Sequence, residues 1–408
     1  MPMRLAVIGG GPKGVAVAAK AAALRDVGYD APTVVIFEEA SIGAAWDGSS
    51  GYTNGETLLC TPAAHDLGYP YDHLSHDPRV ATIMARRFSW HEYLNSIPGA
   101  YQEWVSRGQR PPTHKAFAAY LRRAATQSGA VIRTGKVVQL SFDGGLSAWT
   151  VVLGDGTSHQ FDGVVVTGSG PPLAALPGAD ARVLNGRDMW SNPTALLGTL
   201  ISTREPRAVV IGSGGTAGAA AAWLVQHGGR RFPVVMVGRQ PTIAVRAPTY
   251  FETRLLGNNV AWERLSTRQR KQFTQRINSG FLWTAVSDVL EACDDFAYEP
   301  GDAKNFVSGG SALELDVQTS SGVLRIPASL FVDCRGFDAL WFARLFTGPA
   351  FDRWKARRNK PVGPHLALKG SFPYPRLHAP ALGNRIGPGA GNLLALGWVS
   401  DRILKEYI

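Results

Sequence analysis

Two apolar strands, each running into a glycine-rich turn and a helix of small residues, predict an α/β fold. The first stretch is RLAVIGGGPKGVAVAAK at 4–20, and the second is RAVVIGSGGTAGAAAAWLV at 207–225. Each leads to a further apolar strand, TVVIFE at 33–38 and PVVMVGR at 233–239, completing a βαβ unit. Together they predict two Rossmann-like dinucleotide-binding domains with parallel sheets, the second inserted into the first.

The elements follow in order. Residues 4–8 form an apolar strand, 13–28 a helix and 33–38 a second buried strand. Residues 41–112, rich in Gly, Pro, Tyr, His and Trp, read as long loops with short helices, where binding residues tend to sit. HKAFAAYLRRAATQSG at 114–129 is a helix. VIRTGKVVQLSF and AWTVVLGDGTSHQFDGVVVTG read as antiparallel strands with Asp-Gly turns, ending in a buried strand. The second unit has its strand at 207–211, helix at 216–227 and strand at 233–239. Mostly helical, polar sequence occupies 241–295. Strands are expected at 312–318 and 322–326. The buried LFVDCRG at 330–336 then returns the chain to the first domain, and GAGNLLALGWVSDRILKEYI at 389–408 reads as a strand, a turn and a final helix.

Composition narrows the function. The 408 residues suffice for two or three domains, and 45% hydrophobic with 18% charged residues is ordinary for a globular chain. The net charge is +10, but Lys and Arg are scattered. The densest cluster, RLSTRQRKQFTQR at 264–276, reads as the solvated face of a helix, which argues against nucleic acid. Anionic small ligands such as dinucleotide phosphates explain the excess. The three cysteines, Cys60, Cys293 and Cys334, form no CxxC pair, so neither a disulfide framework nor a metal site is expected. No signal segment or membrane span is read, and a cytoplasmic location is the expectation.

The two turns differ at the strand that closes each unit. Gly9, Gly11 and Gly14, with Pro12 and Lys13, make a GxGxxG; Gly212, Gly214, Gly215 and Thr216 lead a GxGxxA. The first glycine makes the tight turn, the next admits a pyrophosphate, and the last small residue keeps helix and strand close. Glu38 ends the first unit, and an acidic residue there binds ribose hydroxyls and repels a 2′-phosphate. Arg239 ends the second, with Arg246 nearby, and a guanidinium suits a 2′-phosphate. The first turn is therefore expected to hold FAD and the second NADPH, although Arg239 also reads as a plain surface arginine. GVVVTGSGPP at 163–172 reads as a crossover strand and turn. Gly397 opens a helix whose N-terminus could face flavin carbonyls; ordinary punctuation accounts for both equally well.

GGGPKGVAVAAKAAAL, FEEASIGAAWDGSSGYTNG, HDLGYPY, RFSWHEYL and GPGAGNLLALGWVSDRIL occur in order between about residues 4 and 404. Together they resemble the flavin-dependent N-hydroxylating monooxygenases, the lysine and ornithine N-hydroxylases of siderophore pathways, nearest the mycobactin type. The resemblance implies a class B flavin monooxygenase architecture. The FAD domain would span 1–200 and 325–408. The NADPH domain would span 201–324, with a substrate-side helical segment at about 241–295. It further implies N-hydroxylation of a primary amine, most simply that of L-lysine, through a flavin hydroperoxide formed with O2. The amine must be bound without its proton, which a desolvated pocket favours. A homo-oligomer, dimer or tetramer, is implied too. Trp46, Cys60, Gly397 and Ser400 become candidates at the cofactors, and His65, Thr253 and Asn278, with Trp46, at the substrate.

Three aligned positions depart from the family. His65 stands where a lysine holds the substrate carboxylate, Thr253 where an asparagine often contacts the α-groups, and Cys60 where some members carry a flavin-facing glutamine. The amine therefore stays open between lysine, ornithine, a diamine and a modified amine. Loop packing explains His65, and core packing explains Trp46, as well as a binding role does. Another flavin monooxygenase acting at sulfur or carbon, and a catalytically weakened homologue with a binding role, are the alternatives.

Overall fold

A computed structural model of the chain describes residues 2–49, 51–71, 77–246, 249–278, 280–309, 312–346, 352, 354, 362–369, 374–387 and 389–408, without the side chains of 257, 259, 278 and 385. The substrate candidate Asn278 thus has its side chain outside the described residues.

Strand β1 (Arg4–Ile8) runs into helix α1 (Pro12–Asp26) and β2 (Thr33–Glu38). Short helices α2 (Pro78–Phe88), α3 (Trp90–Asn95) and α4 (Ala100–Ser106) interrupt the long loop region, and α5 (His114–Gln127) closes it. Next come β3 (Val131–Thr134), β4 (Val137–Asp143), β5 (Ala148–Leu153), β6 (Ser158–Phe161) and β7 (Gly163–Val166). The second half opens with β8 (Val183–Asn185) and α6 (Pro193–Ile201). Its βαβ unit is β9 (Ala208–Ile211), α7 (Gly215–Gly228) and β10 (Val234–Gly238). A small stem, β11 (Ala244–Val245) with β12 (Phe281–Leu282), carries helices α8 (Tyr250–Gly257), α9 (Asn259–Arg264) and α10 (Thr267–Asn278). Helix α11 (Thr284–Glu291), β13 (Phe296–Pro300), β14 (Asp302–Gly309), β15 (Ala312–Thr319), β16 (Gly322–Ala328), β17 (Leu330–Asp333), β18 (Leu377–His378) and α12 (Leu396–Leu404) complete the chain.

Two parallel sheets result, ordered β18-β7-β1-β2-β3 and β13-β10-β9-β17-β8. Alternation decides what each strand faces. Leu5 and Val7 enter a helix-covered core with Val15 and Ala19. Ala6 and Ile8 enter another core, under the antiparallel sheet β4-β5-β6, with Trp149 and Val151. The second sheet repeats this plan. Ala208 and Val210 pack with α7, and Val209 and Ile211 pack under β14-β15-β16 with Leu315 and Val317. Alanine-rich α1 is buried almost all round, because small residues let it lie close to both β2 and α12. Pro12 at its start fixes φ without sacrificing a hydrogen bond. Lys20 in α1 reaches Asp401 in α12 at 2.8 Å, its side chain only 3% exposed.

The structure corrects three expectations. LFVDCRG does not return to the first sheet, because β17 pairs in parallel with β9 and β8. Sheet membership therefore carries the second unit back to β8 and forward to β17, beyond the expected boundaries at 200 and 325. No strand forms after residue 389; turns lead directly into α12, and Gly397 lies within its first turn. Strands β13 and β14 occupy 296–309, where none was expected. The helical segment packs on the first unit, with Leu256 and Ile277 joining its core. Among the described residues no helix is long and apolar enough to cross a membrane.

Candidate functional site

The two glycine turns match bond for bond. Gly9 N donates to Phe37 O at 2.8 Å, and Gly212 N donates to Val237 O at 2.8 Å. Thr167 N donates to Ile8 O at 3.0 Å, and Cys334 N to Ile211 O at 2.7 Å. Gly9 has φ +104° and Gly212 φ +128°, both costly for a side-chain-bearing residue. A Cβ on Gly9 would lie 2.5 Å from Thr167 Oγ1, and one on Gly212 2.5 Å from Cys334 O. A Cβ on Gly14 would lie 2.4 Å from Gly9 O, so that glycine lets helix and turn touch.

Gly11 and Gly214 behave differently. Both are N-cap residues with extended backbone, and a Cβ on either would meet nothing within 4 Å. Neither helix has a side-chain cap, so their first N–H groups face an open cradle that suits a dinucleotide pyrophosphate. Beside the first cradle, burial pushes the Lys13 ammonium down to about 8, and a bound anion would raise it again. Thr216, half-buried, is the second residue of α7.

The strand ends diverge as their residue types require. Glu38 Oε2 accepts from Gly10 N at 2.6 Å and Oε1 from Ala40 N at 3.2 Å, which holds a carboxylate at the first turn. At the second, Gly238 packs under Ser213, and Arg239 comes next, exposed and without an ion pair among the described residues. Arg246 is instead half-buried, its Nη1 donating to Ile277 O at 2.8 Å.

The loop from Leu59 to Tyr71 lies between the two units. Cys60 Sγ stands 3.6 Å from where a Gly215 Cβ would be, at the start of α7. Gly397 N donates to Tyr69 O at 2.8 Å, at the start of α12, and a Cβ on Gly397 would lie 2.1 Å from Gly68 O. His65 is 9% exposed and stacks on Tyr69 with ring centroids 3.8 Å apart. Burial pushes it down to about 4, opposed by a hydrogen bond to the Leu394 backbone. Asp66 turns inward. It accepts from Trp90 N at 2.8 Å, Tyr71 OH at 2.8 Å and Gly68 N at 3.1 Å, while burial raises it to about 6. Its oxygens fold the loop and are not free for a ligand.

Other candidates have local partners. Trp46 packs edge-on against His114 and Phe117 at 5.0 and 6.1 Å. Ser400 Oγ donates to Gly397 O at 2.9 Å, inside its own helix. Thr253 Oγ1 donates to Thr249 O at 2.8 Å, one turn back at the N-cap of α8. The loop thus brings Cys60 to the second turn, while His65 lies against Tyr69. Sequence reasoning misses Asp66 as a fold determinant and Thr61 as a neighbour of His65, although both lie within the LLCTPAAHDLGYPY stretch.

No protein-family model matches the chain. It is 33% identical over 420 residues to L-lysine N6-monooxygenase MbtG of Mycobacterium sp. (strain MCS), covering 99% of this chain and 95% of that protein. The chain belongs to this family. Other members of the L-lysine N6-monooxygenase family include MbtG of Mycobacterium tuberculosis (strain ATCC 25618 / H37Rv), 31% identical with the same coverage. Among solved structures, lysine monooxygenase NbtG of Nocardia farcinica superposes with a TM-score of 0.83 at 29% identity, over 98% of this chain and 100% of that one. The ornithine N-hydroxylase KtzI of Kutzneria sp. 744 shares the fold, with a TM-score of 0.74 at 15% identity over 100% and 99%. Membership makes this chain a flavin-dependent N-monooxygenase of the FAD- and NADPH-using class, with the two-domain class B fold.

Proposed function

We propose that this N-monooxygenase hydroxylates a primary amine, the side-chain amine of L-lysine or a related amine, for a hydroxamate-bearing product such as a siderophore. FAD belongs at Gly9–Gly14 and Glu38, and NADPH at Gly212–Thr216 and Arg239. The observation that carries this is the pair of matched turns with opposite closing residues, a carboxylate at one and a guanidinium at the other.

FAD, reduced by NADPH, activates O2 when bound. The chain's own residues do the rest. Gly11 and Gly214 leave backbone N–H groups open to phosphate. Cys60 lies against the start of α7 and Tyr69 O accepts from Gly397 N at the start of α12, so the loop touches both units. Leu59, Phe117 and Leu393 put apolar surface beside the loop. The buried, neutral His65 adds no positive charge, so desolvation favours an amine that has shed its proton.

The test is incubation of FAD-loaded protein with NADPH, O2 and a panel of amines, with products read by mass spectrometry. A product carrying one added oxygen, as a hydroxylamine, supports the reading; peroxide alone from every amine contradicts it. Light scattering of the same sample reads the dimer or tetramer that the resemblance implies.

A further inference from the structure

Gly9 and Gly212 hold equivalent places, since each N–H donates to the penultimate residue of its closing strand, Phe37 O in one unit and Val237 O in the other. Gly10 therefore corresponds to Ser213, and Glu38 to Gly238. The side chain changes places between the copies. In the first, a Cβ on Gly10 would lie 2.6 Å from Ile42 Cδ1 and 3.1 Å from Glu38 Oε2. In the second, a Cβ on Gly238 would lie 2.8 Å from Ser213 Cβ, 3.1 Å from Ser213 Oγ and 2.6 Å from Tyr298 OH. Tyr298 comes from β13, which pairs with β10, and its OH donates to Gln240 O at 2.8 Å. Two neutral hydroxyls thus fill the place where the first unit holds a carboxylate. Ser213 and Tyr298 are half-buried and Arg239 is exposed, so this end of β10 opens to solvent.

We propose that Ser213 donates its hydroxyl to the 2′-phosphate of the dinucleotide at the second turn, and that Tyr298 keeps that place free of negative charge. This rests on the reading of the second turn as the NADPH site and names a residue, beyond Arg239, that selects the phosphorylated coenzyme. A carboxylate at this point accepts from ribose hydroxyls and repels a phosphate. A serine hydroxyl donates to a phosphate oxygen and adds no charge, and such a bond to an ionised acceptor is of the stronger kind. The Tyr298 proton is committed to Gln240 O, so this hydroxyl does not compete with Ser213 for the phosphate. Its bulk takes the space that an acidic side chain at residue 238 would need. One exchange of glycine for a side chain therefore separates the two coenzyme preferences.

The experiment is calorimetric titration of FAD-loaded protein with adenosine 2′,5′-bisphosphate and with adenosine 5′-monophosphate. The bisphosphate should bind at least about ten-fold tighter. Ser213→Gly, which copies the first turn, should cut that preference by about five-fold or more, through weaker bisphosphate binding with the monophosphate unchanged. Ser213→Asp puts a carboxylate at the same point and should turn the preference toward the monophosphate. Should Ser213→Gly lose the fold, Ser213→Ala removes the same hydroxyl and reads the same ratio. Equal binding of the two nucleotides by the unaltered protein overturns the proposal. So does a preference that survives loss of the hydroxyl, which would leave Arg239 as the sole selector. Binding of neither nucleotide would instead sink the reading of the second turn as a nucleotide site.

Discussion

Glu38 and Gly238 occupy the same place in two copies of one motif; Glu38 is held against its turn, while Arg239, one residue further on in the second copy, stands in solvent. The residue scale also sets how the protein meets acid. His65, His114 and His378 are each pushed down to about 4 by burial. His378 is fixed as neutral: Nδ1 donates to His365 O and Nε2 accepts from Tyr407 OH, both at 2.8 Å. A histidine whose folded pKa lies below its unfolded value of about 6.5 gives stability that is present above that pH and lost as pH falls toward 4. Each contributes up to about 3 kcal/mol on this basis. Asp66, raised to about 6, has the opposite sign: its burial costs stability as pH rises from about 4 through 6. Thermal unfolding should therefore occur at lower temperature at pH 5 than at pH 7.5. Asp66→Asn should steepen that loss, because it removes a group that opposes it. A variant with a shallower dependence would contradict the assignment of Asp66.

At the scale of elements, the glycines of one turn do separate jobs. Gly14→Ala drives a Cβ to within 2.4 Å of Gly9 O and should destabilise the protein by about 1–3 kcal/mol. Gly11→Ala meets no atom of the chain, so thermal stability of the flavin-free protein should hold while retained FAD falls. Gly214→Ala should leave FAD content intact and raise the KM for NADPH. Thermal unfolding, flavin absorbance of the purified variants and NADPH kinetics together read the three. If Gly214→Ala lost flavin while Gly11→Ala kept it, the turn assignments would be reversed.

Elements of this kind are legible in the sequence, since strand, turn and helix announce themselves by local pattern. Strand TVVIFE coincides with β2 residue for residue. Local pattern does not carry partnership. LFVD reads as a buried strand in either sheet, and only its register with Ala208–Ile211 and Val183–Asn185 places it in the second. GNLLAL reads as a strand by its leucines, yet Leu394 and Ala395 are buried as a turn and Leu396 already opens α12. The site is half legible for the same reason. HDLGYPY marks a loop with chemistry in it, but the inward turn of Asp66 and the free Nδ1 of His65 depend on Trp90, Tyr71 and Leu394.

The whole molecule is one plan used twice, a parallel sheet with helices on one face and a three-stranded antiparallel sheet on the other. The chain passes between the copies along two paired segments. Leu173 N donates to Gly336 O at 3.1 Å and Asp338 N to Pro171 O at 2.9 Å. Gly168, Gly170 and Gly336 all have positive φ there, and Tyr52 clasps the pair, its OH donating to Gly170 O at 2.8 Å and its ring edge-on to Phe337 at 4.6 Å. Tyr52→Phe removes a hydrogen bond of about 1 kcal/mol and should widen the range of orientations the second unit samples. The fraction poised to deliver NADPH falls, so its KM should rise about two- to five-fold with FAD content unchanged. An unchanged KM would mean the clasp does not set that orientation.

The claim on which the rest depends is that two nucleotide turns serve oxygen transfer to an amine nitrogen. Mass spectrometry of products from FAD-loaded protein, NADPH, O2 and a panel of L-lysine, L-ornithine, cadaverine and acylated diamines tests it most directly. The account predicts a hydroxylamine with one added oxygen, made only with NADPH present; NADPH oxidation that yields peroxide and no oxygenated amine would contradict it.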